Sequence, residues 1–308
     1  MKPKAVRAGA MFGIVSPAST PRAESVAAGI AALYELGYRT RLFGHALARG
    51  PLYYAGSAAD RVADLHAAFG DLEVDAILCT RGGWGAAELL PLLDAELIRA
   101  NPKAFLGYSD QTTLHVWLRN EVELVSFQAP MVAADFSKAE GADLASWRSA
   151  LEGDSEWEVG AADGLRVLRG GVAEGELSGG CLAIYAESLG TPWAARARGG
   201  ILMLEDIGVK AYQWDRMLVH LRHAGLLENV TGVVFGSMEQ CGSAAEQAGI
   251  EASILHALRD FEGPIGIGLR SGHVDRGNIT LPFGVRVRLE FADATAPRMR
   301  FMEAAVTS

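Results

Sequence analysis

The feature that most constrains the fold is a unit that recurs along the first half of the chain. A short apolar run is followed by a turn rich in Gly, Ser or Pro, and then by apolar residues at helical spacing. Residues 10–15 form the first run, Ser16-Pro17-Ala18-Ser19-Thr20-Pro21 the turn, and Val26, Ile30 and Leu33 the stripe that Gly37 closes. Extended character returns over 40–43, a helix is expected over 58–69, and a second apolar run over 76–79 leads into a glycine turn. A helix is expected from Ala86 and another strand over 104–107. Runs apolar on both faces and separated by helices imply a parallel sheet covered on both sides, so the N-terminal half is expected to be α/β.

At 308 residues with 50% hydrophobic content, the chain has material for two domains and gives no compositional case for disorder. Between Glu152 and Gly180 the composition shifts to Gly, Glu and Asp, which marks an expected boundary. The domains are therefore expected at 1–160 and 181–308, with 161–180 as a linker. In the second half, strands are expected over 200–205, 231–235, 265–269 and 285–289, the last from strict alternation of Val285, Val287 and Leu289 with Arg286, Arg288 and Glu290. Helices are expected over 211–223 and 244–258.

Lys and Arg total 28 against 37 Asp and Glu, a net charge of −9 with no dense basic run, which argues against nucleic acid or an anionic membrane as partner. No apolar stretch is long enough to cross a bilayer. Lys2, Lys4 and Arg7 precede an apolar segment as in a signal peptide, but Gly9, Gly13 and Pro17 interrupt it and it reads better as a first strand. Cys79, Cys181 and Cys241 are odd in number and far apart, so no disulfide framework is expected and a cytoplasmic location is.

Two stretches carry candidate chemistry in the first half. Gly107-Tyr108-Ser109-Asp110-Gln111 follows a predicted strand and opens a helix containing Leu114, Trp117 and Leu118. A serine on such a strand-to-helix turn is exposed at the carboxyl end of the sheet, beside helix N–H groups that receive a developing oxyanion. The alternative is that Ser109 only caps the helix, and Gln111 stands where a G-x-S-x-G elbow would have its second glycine. Thr80-Arg81-Gly82-Gly83-Trp84-Gly85 also follows a strand and suits an oxyanion hole, a phosphate cradle or a plain turn. The third glycine of a dinucleotide fingerprint is missing.

A serine nucleophile needs a base and a group to orient it. His66, His115, His220, His223 and His256 sit in predicted helices with ordinary neighbours, and His45 in a loop. His115 is turned roughly 240° from Ser109 along a helix, so the two face apart. His220 and His223 have no third ligand at metal spacing, so no metal site is expected. His273, in the loop Ser271-Gly272-His273-Val274-Asp275, is the best base candidate, and Glu205, ending the run Ile201-Leu202-Met203-Leu204, the best orienting acid. Asp206 fits a helix-start carboxylate at least as well as a catalytic one.

Taken in order, Arg81-Gly82-Gly83-Trp84-Gly85, Asn101-Pro102-Lys103, Gly107-Tyr108-Ser109-Asp110, Gly190-Thr191-Pro192, Leu204-Glu205-Asp206 and Gly272-His273 resemble the LD-carboxypeptidases, or muramoyltetrapeptide carboxypeptidases, along nearly the whole chain. The resemblance implies a flavodoxin-like α/β domain followed by a smaller β-rich swivelling domain. It implies Ser109 as nucleophile, His273 as general base and acid, and Glu205 as orienting carboxylate. The backbone of Asp110 and of Gly82 or Gly83 would hold the oxyanion, with Arg81 and Trp84 beside the substrate. It further implies a cytoplasmic homodimer that needs no cofactor and releases terminal D-Ala from murein tetrapeptide. Trp84 stands where the family commonly has Tyr, Gln128-Ala129-Pro130 where it tends to have His-Gly-Pro, and Cys181 where Asn is usual. These departures keep open the related branch that hydrolyses microcin C-type peptidyl-nucleotides. Rivals from other classes are a non-catalytic two-domain binding protein and a nucleotide-dependent enzyme using the Gly82 to Gly85 turn.

Overall fold

In a computed structural model of the chain, residues 1–308 are described, the side chains of 244 and 245 excepted. The chain divides into two compact units. Unit 1 comprises Met1–Asp154, Arg276–Pro282 and Ala305–Ser308, and unit 2 comprises Ser155–Asp275 and Phe283–Ala304.

Unit 1 follows the expected alternation through β1 (Met11–Val15), α1 (Ala23–Glu35), β2 (Arg39–Leu42), α2 (Ala58–Gly70), β3 (Ala76–Cys79), α3 (Ala95–Ala100), β4 (Ala104–Gly107), α4 (Thr112–Trp117), β5 (Ser126–Gln128) and α5 (Leu144–Glu152). The sheet order is β12-β5-β4-β3-β1-β2, where β12 is Leu281–Phe283, and β1 to β5 pair in parallel. This is the flavodoxin-like order 2-1-3-4-5, with β12 added beside β5. Each central strand is apolar and buried along its length, which is why these segments read as runs and not as alternations. Ser57 and Asp60 close a capping box at the start of α2, satisfying helix N–H groups that would otherwise be orphaned. Phe12, Tyr38, Phe136 and Trp147 form an aromatic cluster at one face, and the Trp147 indole donates to the Tyr38 hydroxyl at 3.1 Å.

The segment expected as a helix from Ala86 is a 3-10 helix, Ala86–Leu92, because Pro91 lies inside it and offers no N–H to an α-helical ladder.

Unit 2 is built on β6 (Trp157–Gly160), β7 (Arg166–Arg169), β8 (Val172–Cys181), α6 (Leu182–Glu187), β9 (Ile201–Glu205), α7 (Ala211–His223), β10 (Gly232–Gly236), α8 (Ala244–Ala257), β11 (Ile265–Leu269), β13 (Arg286–Glu290) and β14 (Arg298–Phe301). Its eight strands run in the order β6-β14-β13-β8-β9-β10-β11-β7. The core β8-β9-β10-β11 is parallel and the flanking pairs are antiparallel, a mixed β-rich sheet. The stretch 161–180, expected as a linker, carries β7 and most of β8. Its charged residues are compatible with a strand because they are satisfied across the ladder: Glu174 on β8 pairs with Arg286 and Arg288 on β13. No helix among the described residues is long and apolar enough to cross a membrane.

Candidate active site

In unit 1 the site grows from the ends of β3 and β4. β4 delivers Tyr108 in extended conformation, and Ser109 then turns to a φ of +67°. That is the left-handed region, which costs an L-residue about 1–2 kcal/mol. Such strain is the mark of a nucleophile elbow and the opposite of a cap residue, whose backbone is extended. The cap position of the short 3-10 turn Ser109–Gln111 falls on Tyr108, so the capping alternative for Ser109 is set aside.

The turn after β3 closes against this elbow. A Cβ on Gly82 would lie 2.5 Å from Ser109 Cβ and 2.6 Å from its Oγ, so only glycine fits there. Ala86 N–H donates to Asp110 Oδ2 at 2.8 Å, Gln111 Nε2 donates to the Arg81 carbonyl at 2.9 Å, and Trp84 N–H donates to Ser19 Oγ at 3.2 Å. Gln111, the residue replacing the second glycine of the elbow pattern, is thus a buried tie between the two loops. The N–H groups of Trp84 and Ala86 are thus occupied by side chains of neighbouring loops. Gly83 packs against Ser19, while Arg81 and Trp84 point toward solvent, Trp84 being 36% exposed.

Sequence reasoning missed Arg61. Buried on α2, it donates from Nη1 to the carbonyls of Pro17 and Gly85 at 2.8 and 2.7 Å and pairs with Glu88 at 2.7 Å, locking the glycine turn from behind. A guanidinium on the same helical face as Leu65 and Phe69 was the available signal. His115 is buried between Ser126 Oγ and the Gly107 carbonyl, and burial pushes its pKa down to about 4.

In unit 2, β9 ends in Glu205, fully buried. Its Oε2 accepts the His273 backbone N–H at 2.9 Å and lies 2.8 Å from His273 Nδ1. This fixes the imidazole with Nδ1 toward the carboxylate; the ring is 16% exposed. Glu205 Oε1 is buried with no hydrogen-bond partner among the described residues. The preceding Gly272 has a φ of +96°, and a Cβ on it would lie 2.6 Å from Glu205 Cγ and Oε2. Gly272→Ala is therefore expected to separate the pair, lowering turnover by about 10²-fold and destabilising the protein by about 1–3 kcal/mol through backbone strain; steady-state kinetics and thermal unfolding check it.

Asp206 does serve a helix start, but of α6: its Oδ2 accepts the Ala183 N–H at 2.9 Å, while burial and the neighbouring Glu205 raise its pKa. Two of the family departures lie beside these groups. Gln128 is the ladder partner of Gly107, and Cys181 the ladder partner of Glu205. Burial and the nearby carboxylates raise the Cys181 thiol well above its ordinary range, which makes it an inert wall residue. Among the described residues there is no cluster of His, Cys, Asp and Glu suited to hold a metal ion.

The structure thus gathers Arg81, Gly82, Gly83, Trp84, Ser109 and Asp110 in unit 1, and Glu205 and His273 in unit 2. Comparison with known proteins gives these groups a context. Residues 12–129 match the LD-carboxypeptidase N-terminal domain and 174–289 the LD-carboxypeptidase C-terminal domain. A probable murein peptide carboxypeptidase of Bacillus subtilis is 35% identical over 96% of this chain and 93% of its own. Among solved structures, an MccF-like protein from Bacillus anthracis superposes with a TM-score of 0.90 at 25% identity, covering 98% of this chain and 99% of that one. A muramoyltetrapeptide carboxypeptidase from Oxalobacter formigenes gives 0.83 at 26% identity, covering 96% and 100%. Family membership in a group of peptidases replaces the non-catalytic reading. The chain belongs to the LD-carboxypeptidase family and is a peptidase.

Proposed function

We propose that the protein is a serine LD-carboxypeptidase that releases the terminal D-Ala of murein tetrapeptide through a Ser109-His273-Glu205 triad. The observation that carries the reading is the left-handed Ser109, strained and pressed against Gly82 as a nucleophile elbow requires.

In the proposed mechanism His273 Nε2 takes the Ser109 hydroxyl proton as Oγ attacks the carbonyl carbon of the scissile bond. The oxyanion is held by the N–H of Asp110 and of a Gly82 or Gly83 neighbour. Collapse breaks the C–N bond, and the imidazolium returns the proton to the departing D-Ala nitrogen. Water then attacks the ester by the same route, freeing the shortened peptide and Ser109. Glu205 orients the ring and offsets the charge it gains. Arg81, exposed beside the elbow, would meet a substrate carboxylate.

Incubation with L-Ala-D-Glu-meso-diaminopimelate-D-Ala is expected to yield free D-Ala and the tripeptide; failure to release D-Ala excludes this substrate. The structural likeness to an MccF-like protein favours one second reading, hydrolysis of a peptidyl-nucleotide conjugate. Turnover of an aminoacyl-adenylate conjugate with no release of D-Ala would select it.

A further inference from the structure

We infer that Asp135 is a positioning residue for this reaction, joining the Ser109 elbow to the segment of chain that follows His273. The inference rests on the triad reading above. Asp135 lies in the turn Val132–Phe136 and is buried to 1% exposure. Its Oδ2 accepts the Met131 N–H at 2.8 Å, its Oδ1 accepts from Asn278 Nδ2 at 3.2 Å, and the Tyr108 hydroxyl donates to the same carboxylate. Tyr108 is the residue immediately before the proposed nucleophile. Asn278 belongs to the short return of the chain into unit 1 that begins just after His273, at Arg276.

That return segment is fastened by more than one bond. Asn278 N–H donates to the Gly141 carbonyl at 2.9 Å, its own carbonyl accepts the Asp143 N–H at 3.0 Å, and Thr280 N–H donates to Ser146 Oγ at 3.0 Å. Backbone bonds of this kind would hold the segment without any carboxylate. A fully buried acid in such a place is a costly choice for stability alone, since an apolar or amide side chain avoids the desolvation penalty. What the carboxylate adds is a single acceptor shared by donors from the elbow and from the return segment, so that the setting of one is tied to the setting of the other. Burial pushes its pKa up to about 6, and the titratable groups acting on it are Tyr108 from the elbow and Lys138 from its own loop. Protonation near that value removes acceptor capacity, so the link weakens on the acid side of neutrality.

Asp135→Asn, assayed in the full-length enzyme for D-Ala release, is expected to lower kcat by about 10- to 100-fold with KM nearly unchanged, the scale of a sub-ångström misplacement. Its melting temperature is expected to fall by at most a few degrees, because the amide nitrogen that replaces one carboxylate oxygen meets a donor while the cost of burying a charge is removed. Wild-type kcat is expected to fall as pH drops through about 6, and that fall is expected to be reduced in the variant. Tyr108→Phe, which deletes one donor and keeps the carboxylate, is expected to lower kcat several-fold and keeps the test available if the first variant fails to fold. Wild-type kcat and an unchanged acidic limb in both variants, alongside an inactive Ser109→Ala, would overturn the inference and leave the triad standing. So would a fall in kcat in both variants that only matches the fraction of protein unfolded at the assay temperature, the outcome of a purely structural role. An active Ser109→Ala would instead overturn the triad reading itself.

Discussion

Ser109→Ala is expected to abolish D-Ala release to the background that binding and oxyanion donors alone sustain, a loss on the order of 10⁵-fold in kcat. The substitution removes one oxygen and keeps the Cβ, so the left-handed backbone and the contact with Gly82 remain as they are. Stability should therefore be unchanged within about 0.5 kcal/mol. Ser109→Gly serves as the companion variant. It should be equally inactive yet at least as stable as the wild type, because relief of about 1–2 kcal/mol of left-handed strain offsets the greater freedom of glycine in the unfolded chain. Parallel stopped assays and thermal melts check both. A rate within tenfold of wild type in either variant would remove Ser109 from the chemistry.

Glu205→Gln is expected to lower kcat by about 10³–10⁴-fold with little change in KM. The side chain is isosteric, so its packing against Gly272 should survive. The electronic situation does not. One carboxylate oxygen now faces both the backbone N–H and Nδ1 of His273. If the amide places its oxygen there, the ring keeps its orientation but loses the negative charge that stabilises it once protonated. If the amide places its nitrogen there, it donates to Nδ1, drives the ring proton to Nε2, and leaves the imidazole unable to accept from a serine. Either outcome disables the base without moving it. Substrate-concentration curves for the variant and wild type separate this from a binding defect, and a kcat within a factor of ten would deny Glu205 its role.

Legibility in the sequence followed burial. Strands such as Ala76–Cys79 and Ala104–Gly107 are covered on both faces, so their apolar runs announce them and the glycine or serine after each marks the turn. The candidate residues stand at the ends of such strands, which is why Ser109, Glu205 and the glycine turn could be picked out before any coordinates. β8 could not, because its solvent-facing positions carry Glu174 and Glu176 and its close backbone packing needs glycines, a composition that also describes a linker. Pro91 hid inside a stretch whose apolar spacing was otherwise helical. Arg61 and Asp135 act through buried hydrogen bonds to distant backbone and side-chain groups, and those partners are set by topology, not by local pattern. Cys181 lies far from Glu205 in sequence and next to it in the ladder, so a departure from the family pattern that looked remote stands beside the Glu205 carboxylate.

The triad itself is tested most directly by covalent labelling with a serine-directed fluorophosphonate followed by peptide mapping. Wild-type protein is predicted to lose fluoride from the reagent and carry a single phosphonyl group on Ser109, with labelling at least about 10²-fold slower in His273→Ala, since the hydroxyl is nucleophilic only while the imidazole takes its proton. A label found on another residue, or labelling of Ser109 at the same rate with and without His273, would contradict the account.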